Sequence, residues 1–251
     1  MIKHKGKYIM LAHKLLAGAG KSEYISPISM TYIKKQQYVS FTNGTLTMPT
    51  GIESGDIILV YQLAYRGQSG DYPTGTITYG NGFTAVNGQQ GNNILSGDSY
   101  YTVLGAVSYK IANGTESGTS ITGFIHGITG FSNWSHLGLV FVLRPSGNIS
   151  NISITNLPNQ VFTGTYNPPQ CDINSSKYLE IVYHLNCGTN SLPTVITTPP
   201  DLANSSFTTG GIGIVVMSGG IWVSTTQQTY SFDSSSTNNI NIQMAGRLII
   251  T

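Results

Sequence analysis

The sequence predicts an all-β chain: an antiparallel β-sandwich, jelly-roll-like, with about eight or more strands from two pseudo-repeated halves and a short basic N-terminal arm. Three observations predict it. Short apolar runs recur between clusters of Gly, Pro, Asn and Ser, the pattern of buried strands separated by turns. The 3.6-residue periodicity of an amphipathic helix is absent after residue 35. The succession of apolar strand, proline-bearing loop, second strand and closing apolar run in the first half returns in the second.

A chain of 251 residues is long enough for one large β domain or two small ones, with a core that needs no staples. Charged residues make up only 9% of it and hydrophobic residues 39%, so Ser, Thr, Asn and Gly must supply the solvent face. Surfaces of hydroxyls and amides suit adhesins, capsid and tail proteins, and sugar-binding modules. The net charge of +2 conceals an asymmetry. Residues 1–35 carry seven lysines against Glu23, a net +6, while the remainder carries five cations against nine carboxylates, a net −4. A basic arm on a mildly acidic body is the pattern of a segment that docks onto something else.

The arm, residues 1–40, has a helical stripe at residues 8–16 (YIMLAHKLL), ended by the glycines of AGAG. A helix this short is marginal alone in water and needs a partner. Its docking candidates are Lys3, Lys5, Lys7, Leu11, Lys14, Leu15 and Leu16. His13 and Lys14 interrupt the apolar run that a signal peptide requires. Nowhere do eighteen apolar residues run together, so no transmembrane helix and no membrane insertion are expected. Cys171 and Cys187 could form one disulfide in an oxidising compartment, but two free thiols are the favoured reading, since a domain of this size needs no bridge and pairing cannot be read from sequence.

The sandwich is expected over residues 41–251, with halves at about 41–145 and 171–251 joined by a linker at 146–170. Residues 41–49 read as an edge strand with an Asn-Gly turn. Residues 56–65 (DIILVYQLAY) are almost continuously apolar, as in a strand covered on both faces. Residues 66–82 form a Gly- and Pro-bearing loop, and residues 88–99 are polar enough to read as an exposed loop. Residues 100–111 form a long strand, Asn113-Gly114 turns it, and residues 119–124 return as the second arm of a hairpin. Residues 137–143 are buried, and Pro145 stops them because it cannot donate to a ladder. In the second half, residues 178–185 (YLEIVYHL) correspond to the strand at Asp56. A loop holding Pro193, Pro199 and Pro200 follows. Residues 213–217 with 221–223 correspond to the strand before Ala112, residues 230–232 and 240–243 are the polar return, and residues 247–250 are the closing strand.

A family resemblance is carried by an ordered series: Gly55-Asp56, then Gly82-Phe83-Thr84, then Ser108-Tyr109-Lys110-Ile111-Ala112-Asn113-Gly114-Thr115-Glu116, and finally Val140-Phe141-Val142-Leu143-Arg144-Pro145. The series resembles a β-sandwich domain widespread in structural proteins of tailed bacteriophages, especially those of marine and cyanobacterial phages. There a GD strand, a P-x-G-(F/W)-T loop, a Y-K/R-x-A-x-G-x-E hairpin and a strand ending in F-R-P occur in that order. The match covers roughly residues 45–200. Two departures stand out: Pro73 lies nine residues before Gly82 instead of beside it, and Leu143 stands where an aromatic is common. The resemblance implies a virion component of tail fibre, baseplate, collar or capsid-appendage type. It implies no enzyme activity and no defined ligand residues.

Chemistry-bearing residues do not fall into motifs. His126, His136 and His184 lack metal-ligand spacing, and no metal or cofactor is expected. Asp71, Asp98 and Glu116 would meet as a glycosidase pair only if their loops converged, and Ser218-Gly219-Gly220 reads as a turn rather than a nucleophile elbow. Tyr61 and Tyr65 read as core, next to Tyr72 and Tyr79 at a Gly-rich loop. The surface-recognition candidates are Trp134, Phe131, His136 and Tyr72, because exposed rings stack on sugars and anchor interfaces. The acidic balance of the body argues against nucleic acid, and the arm lacks arginine. The expectation is therefore a non-enzymatic structural protein of a phage particle, located in the virion after assembly in the host cytoplasm. It would bind other virion proteins and its own copies as a homo-oligomer. The alternative is a host-surface or carbohydrate-binding adhesin with a host glycan as partner, and, further off, a polysaccharide-degrading enzyme.

Overall fold

The computed structural model describes residues 30–39, 44–69, 75–96, 99–125, 135–156, 159–166, 171–172, 179–189, 194–195, 202–209, 215–224, 229–230 and 232–251. The helix expected at residues 8–16 lies outside them. Among the described residues there are strands and no helix. The first half contains β1 (Met30–Val39), β2 (Leu46–Thr47), β3 (Ile57–Ser69), β4 (Thr84–Ser96), β5 (Ser99–Ile111), β6 (Ser120–Ile121) and β7 (Ser135–Pro145). The second contains β8 (Ile152–Asn156), β9 (Gln160–Tyr166), β10 (Cys171–Asp172), β11 (Leu179–Thr189), β12 (Thr194–Val195), β13 (Leu202–Thr209), β14 (Val215–Ser224), β15 (Thr229–Tyr230) and β16 (Phe232–Ile250).

One sheet has the order β1-β7-β3-β5-β4, and the other β12-β16-β11-β14-β13 with β8 and β9 also pairing with β16. Every pairing is antiparallel. The sequence of strands β7-β3-β5-β4 thus reappears as β16-β11-β14-β13. Tyr61 lies between Leu139 and Val107, and Tyr183 between Gly246 and Ile221. Two short ladders, β2 with β6 and β10 with β15, occupy matching places in chain order.

The period-two alternation of side chains explains the core. Ile57, Leu59, Tyr61 and Leu63 point to the face where they join Phe141 and Leu143 in one buried cluster with Ile181, Tyr183, Ile242, Met244, Leu248 and Ile250 of the other sheet. The two sheets therefore bury facing sides against each other, consistent with a β-sandwich. Ile58 and Val60 point the opposite way, into a second cluster with Leu46, Met48, Ile52 and Phe124. Ala64, Leu104, Ala106 and Ile125 continue that covered outer face. Coverage on both sides is why residues 56–65 are apolar without alternation, as expected.

Several loop expectations are corrected. Residues 88–96, expected within an exposed loop, are the body of β4, and Ser99 opens β5. Among the described residues β4 ends its sheet, and a terminal strand needs backbone partners more than apolar mass. A register shift between Ala85 and Asn87 leaves both Val86 and Asn87 buried, the usual consequence of a bulge. Residues 146–170 are not a bare linker, because β8 and β9 pair with β16 while Ile149, Ile152 and Ile154 pack on the core. The segment after Pro200, to which the sequence reading assigns no element, holds β13. The separate polar return and closing strand are one strand, β16, with an irregularity between Ser236 and Ile240. The hairpin expected at Asn113-Gly114 does not form: β6 pairs with β2. Burial of Phe124 draws this segment across the outer face instead. β1 lies within the segment read as arm and is hydrogen-bonded along β7, whose last residue is Pro145 as expected.

Candidate functional site

The residues that carry the resemblance converge at the end of the first sheet where β3 begins and β5 and β7 finish. There the chain must turn into β3, and Gly55 does so at φ 92°, a conformation other residues resist. Its amide donates to the Ala112 carbonyl at 2.8 Å, and the Ala112 amide returns a bond to the Asp56 carbonyl at 2.7 Å. The Asp56 carboxylate accepts the Glu53 amide at 2.8 Å, closing the turn. Asp56 is almost wholly buried, so its charge needs a partner. Arg144 supplies it as a fork: Nε donates to Oδ1 at 2.8 Å and Nη2 to Oδ2 at 2.9 Å. The guanidinium also meets Glu53 Oε1 at 2.8 Å and donates to the Gly51 carbonyl at 3.1 Å.

A second pair lies beside it. Lys110 meets Glu116 at 2.8 Å, and the other Glu116 oxygen accepts the amides of Asn113 and Gly114, each at 3.1 Å. Gly114 sits at φ 93°, which lets its amide turn inward toward that carboxylate. Asn113 Oδ1 accepts the Thr115 amide at 3.0 Å, and Phe83 packs edge-on against Phe124 at 5.3 Å.

The electrostatics follow. Burial pushes the Asp56 carboxyl upward, but the Arg144 hydrogen bonds, the Glu53 amide and the Arg144 charge outweigh it, and the group lies below its ordinary range. Glu116 is likewise raised by burial and lowered further by Lys110, its own amide and that of Asn113. The hydrogen bond to Asp56 and the neighbouring carboxylates hold Arg144 above its usual range. Groups locked in their charged forms do not exchange protons near neutrality, so these pairs hold structure rather than perform acid–base chemistry. Between residues 53–56, Ile111 and residues 144–149 lies a pocket of about 390 Å³.

A polar network joins the sheets elsewhere. Asn87 Nδ2 donates to Asn159 Oδ1 at 2.7 Å and to the Tyr183 hydroxyl at 3.0 Å. Tyr183 donates to Asn156 Oδ1 at 2.6 Å, and Asn156 donates to the Val86 carbonyl at 2.6 Å.

Of the expected site residues, Lys3, Lys5, Lys7, Leu11, Lys14, Leu15 and Leu16 lie outside the described residues, as do Trp134, Phe131, Tyr72, His126, Asp71 and Asp98. His136 is buried on β7 opposite Ala64, which removes it from the exposed surface where recognition was expected. Glu116 is committed to Lys110 rather than to a catalytic pair. Tyr61 is core, edge-on to Phe141 at 5.3 Å, as expected. Tyr79 is half-buried, which pushes its phenol upward. Among the described residues no three His, Cys, Asp or Glu gather as a metal site, and no helix is long and apolar enough to cross a membrane. The pocket and the Asp56–Arg144 fork were not foreseen. The available signal was that each charge ends an apolar run, where burial would demand a partner. No family model, curated protein or solved structure matches the chain.

Proposed function

We propose that this chain is a structural component of a phage particle that docks by its N-terminal arm and displays a β-sandwich at the virion surface, as part of a tail, fibre, collar or capsid appendage. One observation carries the reading. The four charged residues of the motif series that resembles phage structural domains pair with one another: Asp56 with Arg144 and Lys110 with Glu116. Motif residues spent on closing one sheet end are what a likeness between scaffolds entails, whereas a likeness between enzymes would rest on groups left available for substrate. The matching strand orders of the two sheets support a sandwich of two repeated halves, one sheet from each. Its partners are other virion proteins and further copies of itself, and its work is assembly and display rather than catalysis.

The test is incorporation. Full-length protein carrying a small C-terminal tag, produced during phage growth, is expected to co-purify with particles through density-gradient sedimentation and to be seen on them by immunogold imaging. Particles without the tag, combined with binding of the isolated protein to host cells or glycans, would replace this reading with that of an adhesin acting apart from the virion.

A further inference from the structure

We propose that the pocket at the end of β7 is a binding site for a neutral saccharide unit. Its volume of about 390 Å³ falls within the roughly 300–1,000 Å³ of sites that receive small molecules. The lining joins one exposed ion pair to one aliphatic wall. Arg144 meets Glu53 at 2.8 Å, and the Glu53 side chain is still 67% exposed. Among the described residues Arg144 spends Nε and Nη2 on Asp56 and Gly51, so Nη1, beside Glu53, is the nitrogen left with a hydrogen to give. An acceptor and a donor therefore stand side by side at the pocket surface. Ile111 is 41% exposed, unlike the other large apolar side chains described, and Pro145 and Ile149 line the same pocket.

This chemistry selects the ligand. An ion placed over the pair meets opposite charges 2.8 Å apart, so the carboxylate repels an anion drawn to the guanidinium and the guanidinium repels a cation drawn to the carboxylate. No three His, Cys, Asp or Glu among the described residues gather to hold a metal. A hydroxyl both donates and accepts, so two adjacent hydroxyls of a sugar ring satisfy the donor and the acceptor together. Ser54 and Asn148, both exposed on the lining, add a further hydroxyl and an amide. The C–H face of the ring then covers Ile111 and its apolar neighbours, taking that area out of water. The binding rests on the pocket's own geometry; that the sugar belongs to a host surface rests on the particle reading.

Saturation-transfer NMR on the purified full-length chain tests it. The probes are the methyl glycosides of glucose, galactose and mannose, with N-acetylglucosamine and N-acetylgalactosamine. Glucosamine and N-acetylneuraminic acid serve as cationic and anionic counterparts. Transfer to at least one neutral sugar is expected, strongest at its ring C–H protons, with neither charged counterpart preferred. Glu53→Ala and Ile111→Ser alter exposed side chains, and a melting curve for each verifies the fold. Glu53→Ala is expected to weaken binding about tenfold or more, the loss that removing a hydrogen bond to a charged group produces, and Ile111→Ser to weaken it as well. No transfer to any neutral sugar, preference for a charged counterpart, or undiminished binding in both folded variants would overturn the proposal. A chain that binds sugar but is absent from particles would keep this site and remove the particle reading, and a chain found on particles that binds no sugar would do the reverse.

Discussion

At the scale of single residues, the strongest constraint is the burial of a carboxylate. Asp56 is 1% exposed and is tolerated there because a forked cation and a backbone amide satisfy it. Its carboxyl lies below the ordinary 3.8 and that of Glu116 below 4.5. A group with a depressed folded value binds fewer protons folded than unfolded, so stability rises with pH across that window. The contribution is therefore complete at neutral pH and begins to fall as the unfolded carboxyls protonate near 4.5 and 3.8. It is lost as the pH drops through the lower folded values. Thermal melts from pH 7 to pH 2.5 should show this acid loss. Asp56→Asn should cost about 2 kcal/mol at pH 7, in keeping with hydrogen bonds to charged groups, and should flatten the acid limb. A variant that melts like wild type at pH 7 and keeps the full acid limb would remove Asp56 from this role.

At the scale of elements, legibility followed burial. β3, β5 and β7 were readable because a strand covered on both faces has no polar positions to spare, so residues such as Ile58 and Leu59 stand side by side. β4 and β13 were missed for the opposite reason, since Gly, Asn, Gln, Ser and Thr dominate them and their place depends on backbone pairing, while β8 alternates Ile152, Ser153 and Ile154 but is only five residues long. Asn113-Gly114 misled because its turn chemistry was real while the closing partner was not a facing strand but the Glu116 carboxylate. The Asp56–Arg144 fork joins residues 88 apart, a separation no local pattern encodes, although both residues were visible as parts of motifs. The inter-sheet network shows the same limit, since Asn87, Asn156, Asn159 and Tyr183 are individually unremarkable in sequence. Tyr183 holds β11 to β8 through Asn156 and to β4 through Asn87. Tyr183→Phe keeps the ring in the core and removes only the hydroxyl, leaving the Asn156 acceptor short of its donor. A loss of about 1–2 kcal/mol is expected, read by urea denaturation. Paired with Asn156→Ala in a double-mutant cycle, the two losses should be less than additive; full additivity would show that the hydroxyl is not the link.

At the scale of the whole molecule, the two sheets share a strand order. Because Leu143 pairs with Ile57 and Ile250 with Leu179, the place of Arg144 is taken by the uncharged Thr251. The pairs Asp56–Arg144 and Lys110–Glu116 close the end of the first sheet. β1 completes that sheet by covering the outer edge of β7 from Leu137 to Pro145. Met30–Val39, read from the sequence as arm, are thus part of the sheet. Deleting residues 1–29 should leave a monodisperse protein whose melting temperature falls by no more than about 2–4 °C, the shift that roughly 1 kcal/mol represents in a domain of this size. Deleting residues 1–39 strips β7 of its neighbour and exposes an edge rich in Leu, Val and Phe, an open template for pairing with another chain. That variant should melt well below the shorter deletion and self-associate in sedimentation velocity. Equal melting temperatures and equal monodispersity for the two deletions would show that β1 contributes nothing to the sheet, and would return the boundary of the arm to residue 40.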